Sequence, residues 1–144
     1  MQKKVDILKL KKIHQNAIIP KYDHVDDAGF GLYSIEEKVL KPMEYYAVAT
    51  GISSEIPQDY FVSIRDRSSM AIKGLHVMGG VIDAGYRGEW KVILINLSGA
   101  DYKIEVGDKI AQGILQSAKQ AKIEITEDLS NTSRGEGGFG STGR

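Results

Sequence analysis

Apolar and polar residues alternate in short runs along most of this 144-residue chain, and turn-forming residues separate the runs. A period of two places every second side chain on one face, which is typical of a half-buried β-strand. Many such strands at regular spacing indicate an all-β sandwich or barrel. The predicted strands lie at residues 5–10, 45–56, 60–64, 90–97, 102–106, 109–116 and 121–127.

Local signals refine this pattern. The Pro-Gln-Asp sequence at 57–59 predicts a turn between two strands, and the Gly-Asp pair at 107–108 predicts a hairpin between the strands that flank it. The strand at 90–97 is apolar on both faces beyond its second residue, which predicts that it is covered on both sides. Residues 68–74 form the one candidate helical turn, and Gly74 is expected to end it.

Composition narrows the class of protein. Nineteen basic residues balance nineteen acidic ones, so no overall positive field is expected to attract a nucleic acid. The chain has no cysteine, which excludes disulfides and thiolate chemistry and is typical of a reducing compartment. No apolar run is long enough for a signal peptide or a membrane span. These features predict a soluble cytoplasmic protein with no membrane partner.

The C-terminal stretch differs from the rest of the chain. Residues 1–128 carry the strand pattern, whereas residues 129–144 are polar and rich in glycine. The division predicts a β core domain followed by a flexible arm. The final segment, "RGEGGFGSTGR" at 134–144, has two open interpretations from composition alone. It is either a plain flexible tail or a mobile strip that closes over a phosphate ligand.

Two segments could carry chemistry, although each also has an ordinary structural interpretation. "VIDAGYRGEW" at 81–90 reads as a plain hairpin, or as a hairpin whose Asp83 deprotonates a water molecule. "RDRSSMAIK" at 65–73 reads as an exposed polar turn. Alternatively, Arg67, the hydroxyls that follow it and the backbone N–H groups of the turn form a phosphate cradle.

Two further segments are open in the same way. Gln112 in "GDKIAQGILQ" is either a solvent-facing polar residue or an amide directed at a ligand oxygen. The acid pair Asp26 and Asp27 is either a solvated loop or a Mg²⁺ site. The three histidines have no zinc-site spacing, and neither a P-loop nor a Rossmann fingerprint is present.

Five segments taken in order resemble the trimeric all-β dUTPase family. They are "DAGFGLYS", "RSSMAIK", "GVIDAGYRGE", "GDKIAQ" and "RGEGGFGSTG". The resemblance implies a jelly-roll-like β-barrel or sandwich and a homotrimer with shared active sites. It also implies hydrolysis of dUTP to dUMP and pyrophosphate, with Mg²⁺ held by the triphosphate rather than by direct protein ligands. In the family the arm of one subunit closes over a site formed by the other two.

The resemblance also implies roles for individual residues. Asp83 matches the aspartate that activates water for attack on the α-phosphate. No residue is expected to bind the metal directly, and Asp27 is a candidate for contact with the water bound to it, with Asp26 beside it as an alternative. In the uracil and deoxyribose site, Tyr86 matches the residue packed beneath the sugar. Phe139 matches the ring that stacks over uracil. The full set implied to bind substrate is Arg67, Ser68, Ser69, Gly80, Val81, Ile82, Tyr86, Lys91, Gln112, Arg134, Phe139, Gly140, Ser141 and Thr142.

Several positions depart from the family's pattern. Gly31 stands where the first motif usually has an aspartate, so the resemblance implies weaker Mg²⁺ binding or slower turnover. Ser69 replaces a common glycine, and Val77 replaces an asparagine that some members use to contact uracil. The related dCTP deaminases have a catalytic glutamate where this chain has Ile93, which disfavours deamination. A weakened, regulatory nucleotide-binding protein is the alternative that Gly31 leaves open.

Overall fold

Residues 6–143, the part of the chain that this computed structural model describes, form eleven short strands and one helical turn. The strands are β1 Lys9–Lys12, β2 Phe30–Tyr33, β3 Lys38–Leu40, β4 Tyr45–Ala49, β5 Ile52–Glu55, β6 Tyr60–Arg65, β7 Leu75–Met78, β8 Val81–Asp83, β9 Lys91–Asn96, β10 Tyr102–Ile104 and β11 Lys109–Ser117. The helical turn α1 is Ser68–Ala71, and Gly74 follows it with a φ of +84°. The predicted all-β class is confirmed.

Every strand pair is antiparallel. A four-stranded sheet has the order β2-β11-β6-β8, and a three-stranded sheet has the order β4-β9-β7. The pairs β1-β5 and β10-β3 complete the walls of the sandwich. Alternate side chains of these strands fill one apolar core, whose fully buried members include Leu32, Val62, Trp90, Val92 and Ile104. No helix in residues 6–143 is long and apolar enough to cross a bilayer.

Trp90 joins the segment after β8 to the core. Its side chain is completely buried, and its indole N–H donates a hydrogen bond of 2.9 Å to the hydroxyl of Ser54. Its ring centroid lies 6.3 Å from that of Phe30. Its backbone N–H donates to the carbonyl of Ile52 at 2.8 Å, so side chain and backbone together fix the start of β9.

Replacing Trp90 with alanine is expected to lower the free energy of unfolding by about 3–5 kcal/mol, because it leaves a cavity and an unpaired Ser54 hydroxyl. Urea unfolding followed by circular dichroism measures this loss. Phe139→Ala is the aromatic control, since the Phe139 ring is fully exposed on the arm and its removal is expected to change stability by less than about 0.5 kcal/mol. Equal losses in both variants would contradict this account of the core.

The predicted hairpin of 102–106 and 109–116 is wrong. The turn itself is present, because Gly107 has a φ of +87° and the N–H of Asp108 donates to the carbonyl of Glu105 at 3.1 Å. However, β10 pairs with β3, and β11 pairs with β2 and β6. A turn signal reports a local reversal of the chain, and it carries no information about the partner of each strand.

Other strand predictions need correction. The predicted strand at 121–127 is not formed, and Ile123 and Ile125 are fully exposed. The long strand at 45–56 is divided by Gly51, whose φ of +69° interrupts the extended backbone. The first strand begins at Lys9 rather than at residue 5, and residue 5 lies outside the described residues.

The strand at 90–97 is also buried differently from the prediction. In the observed β9, burial alternates along the strand, and Ile93 is 36% exposed. Because Ile93 is apolar like its buried neighbours, the sequence could not distinguish a strand covered on one face from a strand covered on two. The exposed face of β9 borders the candidate site described next.

Candidate functional site

Strand β8 is the edge strand that carries Asp83. It pairs with β6, with Val81 opposite Ser63 and Asp83 opposite Phe61. The predicted hairpin between this strand and the next is wrong, because β9 pairs with β4 and β7 instead. The connection therefore crosses from one sheet to the other. The outer edge of β8 bears no strand among the described residues, so its backbone groups are available to a ligand.

Gly80 sets the entry into β8. Its φ is +98°, and a Cβ at this position would lie 2.6 Å from the carbonyl oxygen of Ile64. Its own carbonyl accepts a hydrogen bond of 2.7 Å from the N–H of Ile64. Only glycine satisfies both the positive φ and this close backbone approach. The result is a sharp bend that brings β8 against β6.

The segment after Asp83 is held by its own hydrogen bonds. The N–H of Tyr86 donates to the carbonyl of Asp83 at 3.1 Å, and the guanidinium of Arg87 donates to the carbonyl of Ala84 at 2.7 Å. The hydroxyl of Tyr86 donates to the carbonyl of Glu89 at 2.9 Å. The Tyr86 ring lies directly over Gly88, where a Cβ would collide with it. The ring is therefore fixed in one position beside the carboxylate.

A cleft of about 340 Å³ lies between β8, the segment that follows Asp83, and β9. That volume is within the range of small-molecule sites. The cleft brings together five of the predicted site residues and the exposed face of β9. Its lining is Ala47, Val81, Ile82, Asp83, Tyr86, Glu89, Lys91 and Ile93. Asp83 and Val81 are exposed at its edge, whereas Ile82 is buried beneath it.

The predicted phosphate turn follows β6. Arg67 is half-buried, and its guanidinium donates a hydrogen bond of 2.7 Å to the backbone carbonyl of Lys109. Ser68 and Ser69 are exposed at the start of α1. Met70 is buried directly after them, and its burial fixes this turn to the core. The turn thus presents one anchored cation and two hydroxyls to the solvent.

Gln112 holds the phosphate turn from the neighbouring strand. It lies opposite Arg65 in β6, and its amide N–H donates a hydrogen bond of 2.8 Å to the carbonyl of Asp66. The carboxylate of Asp66 in turn accepts the N–H of Val77 at 2.6 Å and lies 2.6 Å from Nδ1 of His76. Sequence reasoning missed Asp66. Its only signal was an acid between two arginines at the end of a strand.

The base-sized cleft and the phosphate turn do not share a pocket within one chain. A larger groove of about 760 Å³ lies on the side of β6 toward the phosphate turn, and Asp66, His76 and Gln112 are among its lining residues. The residues that line this groove are entirely different from those that line the cleft beside Asp83. Neither lining includes Arg67, Ser68 or Ser69 of the phosphate turn.

The C-terminal arm lies apart from the core. The last backbone hydrogen bond to the core runs from the N–H of Ala118 to the carbonyl of Asp59, at 2.7 Å. Within the arm, Arg134 donates from Nε to the carbonyl of Gly137 at 2.8 Å. Phe139 has a φ of +50° and a fully exposed ring. The structure thus does not bring the predicted arm residues, Arg134, Phe139, Gly140, Ser141 and Thr142, to the Asp83 cleft of the same chain.

The acids before β2 have local roles in this structure. The carboxylate of Asp27 accepts the N–H of His24 at 2.9 Å, which closes the turn that precedes β2. Within residues 6–143, no three histidine or acidic side chains are grouped as metal ligands.

Sequence comparisons identify proteins to which this chain is similar. The dUTPase family model matches residues 15–143. A deoxyuridine 5'-triphosphate nucleotidohydrolase from Helicobacter pylori (strain Shi470) is 46% identical over 139 residues, which cover 94% of this chain and 96% of the relative. One from Nautilia profundicola is 47% identical over 140 residues, covering 95% of this chain and 99% of the relative.

Solved structures show the same fold. The Staphylococcus bacteriophage 80alpha dUTPase with dUpNHpp aligns with a TM-score of 0.91 at 28% identity, covering 97% of this chain and all of that one. A variant of the dUTPase from phage phi11 of S. aureus, in which a structural Mg(II) ion is coordinated, aligns with a TM-score of 0.82 at 25% identity. That alignment covers 88% of this chain and all of the phage chain.

Proposed function

The chain belongs to the dUTPase family and hydrolyses dUTP to dUMP and pyrophosphate, and we propose that Asp83 is the general base of this reaction. The observation that carries this assignment is the cleft beside β8. It combines an exposed carboxylate, a fixed tyrosine ring and the free edge of a strand. These are the three elements needed to activate water, support a sugar and read a base.

The edge of β8 provides recognition of uracil. Its outer N–H and C=O groups can pair with the uracil edge, which offers an alternating set of acceptors and a donor. Cytosine presents a different pattern, so a buried polar group would be left unpaired at a cost of about 1–3 kcal/mol. The ring of Tyr86, held over Gly88, packs beneath the deoxyribose and leaves no room for a 2′-hydroxyl.

The reaction is an in-line displacement at the α-phosphorus. A water molecule gives its proton to the carboxylate of Asp83 as its oxygen bonds to phosphorus. The bond from the α-phosphorus to the bridging oxygen then breaks, and pyrophosphate leaves. Arg67, Ser68 and Ser69 bind phosphate oxygens, and Gln112 stabilises their turn through Asp66. Positioning and neutralisation of charge provide most of the rate enhancement.

Mg²⁺ is the proposed cofactor. Bound to the triphosphate, it would neutralise part of the charge that develops on the leaving pyrophosphate. The carboxylate of Asp27, exposed in the turn before β2, is the protein group proposed to lie near its bound water. The family membership supports this assignment, and the phage phi11 relative is described with a structural Mg(II) ion.

We propose that the active unit is a homotrimer whose sites are shared between subunits. The absence of Arg67, Ser68 and Ser69 from the lining of the Asp83 cleft supports this, because a neighbouring subunit would bring its own phosphate turn to the cleft. The alternating segment 121–127 supports it as well. Its isoleucines are fully exposed in one chain and would be buried if the segment paired with another copy.

The arm is proposed to close over a site formed by other subunits. Phe139 would stack on uracil, and Arg134 would bind the terminal phosphates. Gly140, Ser141 and Thr142 would then offer backbone and hydroxyl donors to the triphosphate. The exposure of Phe139 supports this, because a large ring on a glycine-rich strip has nothing to pack against in its own chain. For location, we propose the cytoplasm, which the cysteine-free composition supports.

Base and sugar selectivity test the proposed site directly. Pyrophosphate release is measured with dUTP, dCTP, dTTP and UTP, each with Mg²⁺ and with a chelator. We expect rapid release from dUTP with Mg²⁺ and at least about tenfold lower kcat/KM for the other nucleotides, because each leaves a polar group unpaired or introduces a clash. Comparable release from dCTP or UTP would contradict recognition by the β8 edge and by Tyr86.

A further inference from the structure

Lys109 contacts the phosphate turn through its backbone, and its side chain has no role in the reaction described so far. The backbone carbonyl of Lys109 accepts the hydrogen bond from Arg67. Its side chain turns the other way and forms an ion pair of 2.6 Å with the carboxylate of Asp23. The ammonium also lies 5.6 Å from the centre of the Tyr33 ring. With 24% of its side chain exposed, Lys109 is more buried than most lysines.

Gly31 provides the space in which this side chain lies. A Cβ on Gly31 would be 2.8 Å from both Cδ and Cε of Lys109. A side chain at position 31 would therefore force Lys109 to move away from Asp23. Strand β2 therefore carries no carboxylate at position 31, and the aliphatic part of Lys109 fills the space beside it. The carboxylate that pairs with its ammonium comes from the loop before the strand.

The charges around Lys109 show the electrostatic effect of its ion pair with Asp23. The hydrogen bond to Asp23 raises the pKa of Lys109, and the positive charge of Arg67 opposes that shift. The same hydrogen bond lowers the pKa of Asp23. Both groups are therefore charged at neutral pH, and they cancel each other. Without Asp23, the Lys109 ammonium would be an unpaired cation whose charge acts on Arg67.

We propose that Asp23 is a positioning residue for dUTP hydrolysis, whose carboxylate holds the Lys109 ammonium away from the triphosphate. The proposal rests on the phosphate site proposed at Arg67. A freed ammonium would bind phosphate oxygens in the ground state. Binding of that kind tightens the complex without stabilising the transition state, so turnover falls.

The test compares binding and turnover in the full-length Asp23→Asn variant. Calorimetry measures the Kd for dUpNHpp in the presence of a chelator, and pyrophosphate release measures kcat for dUTP with Mg²⁺. We expect the Kd to fall about fivefold and kcat to fall about fivefold, which corresponds to one partly screened charge pair. A purely structural role for Asp23 would weaken analogue binding rather than strengthen it.

Two further variants test the mechanism. Asp23→Glu keeps a carboxylate that can pair with Lys109 and is expected to hold both values within about twofold of the parent. Lys109→Met removes the ammonium, so adding Asp23→Asn to it is expected to change neither value. The control is Glu105→Gln, which breaks an ion pair of 2.9 Å with Lys103 that is at least as exposed. It is expected to leave both values unchanged.

Weaker analogue binding in Asp23→Asn, or no change in either value, would overturn the proposal. So would an effect of Asp23→Asn that persists in the Lys109→Met background. Arg67→Ala distinguishes this failure from failure of the underlying site. If Arg67→Ala weakens analogue binding while Asp23→Asn has no effect, only the role of Asp23 is overturned. If Arg67→Ala leaves binding unchanged, the phosphate site at Arg67 is overturned, and the role of Asp23 with it.

Discussion

Asp83→Asn is expected to lower the kcat for dUTP hydrolysis by about 10²–10⁴-fold, the contribution of a single general base. Asparagine has nearly the same shape as aspartate and can still bind the attacking water, but it cannot accept the water's proton. Because Asp83 is exposed at the end of β8, the substitution is not expected to disturb the core. The affinity for dUpNHpp is therefore expected to stay within about threefold of the parent.

The control for this variant is Asp101→Asn, which removes an exposed carboxylate from the loop between β9 and β10, outside the cleft. It is expected to retain full turnover. Pyrophosphate release under saturating dUTP and calorimetry with dUpNHpp provide the two measurements. Turnover of Asp83→Asn within about tenfold of the parent would remove Asp83 from the role of base. Loss of analogue binding would instead assign it to substrate binding.

Truncation after Asn131 is expected to leave a folded protein whose dUTP turnover is lower by about 10²-fold or more. The core should remain folded because Ala118 makes the last backbone hydrogen bond between the C-terminal part of the chain and the core. Ala118 lies well before the cut. Turnover should fall because the groups proposed to close over the nucleotide are removed. Circular dichroism, thermal unfolding and pyrophosphate release measure the two effects separately.

Phe139→Ala in the full-length chain is the companion to the truncation, because it removes the stacking ring and keeps every backbone donor of the arm. It is expected to raise KM more than it lowers kcat, since the ring contacts the base and not the reacting phosphorus. A truncated protein with full turnover would refute the role of the arm as a lid. A truncated protein that unfolds at a much lower temperature would show that the arm belongs to the core.

The sequence is most informative where function depends on local order. Asp83 and the arm are proposed from short motifs that resemble those of the family, and Ser68 and Ser69 are proposed because they follow Arg67 directly. The antiparallel all-β class was equally accessible, because the alternation of apolar residues is a local property of each strand.

Contacts between segments that are distant in the sequence could not be predicted from the sequence alone. The pairing of β10 with β3 depends on which edge each sheet leaves open, and the turn at Gly107 does not reveal it. Asp66 and Asp23 have no motif of their own. Their contacts could be identified only from the fold, which places Asp66 against Val77 and Asp23 against Lys109.

The segment 121–127 illustrates a different limit. Its alternation of isoleucine with polar residues is a genuine strand signal, yet the described chain offers it no partner. A sequence pattern records the environment that a segment occupies in its functional state. In this protein that environment is proposed to include other copies of the chain, and pairing with another copy would account for the difference between the prediction and the single-chain structure.

The central claim is that water, activated at the Asp83 cleft, attacks the α-phosphorus of dUTP. Hydrolysis of dUTP in water enriched in oxygen-18, followed by mass spectrometry of both products, tests it most directly. Attack at the α-phosphorus places the label in dUMP and leaves pyrophosphate unlabelled, and this is the expected result. Label in pyrophosphate would show attack at the β-phosphorus and would contradict the placement of Asp83 and the phosphate turn around the substrate.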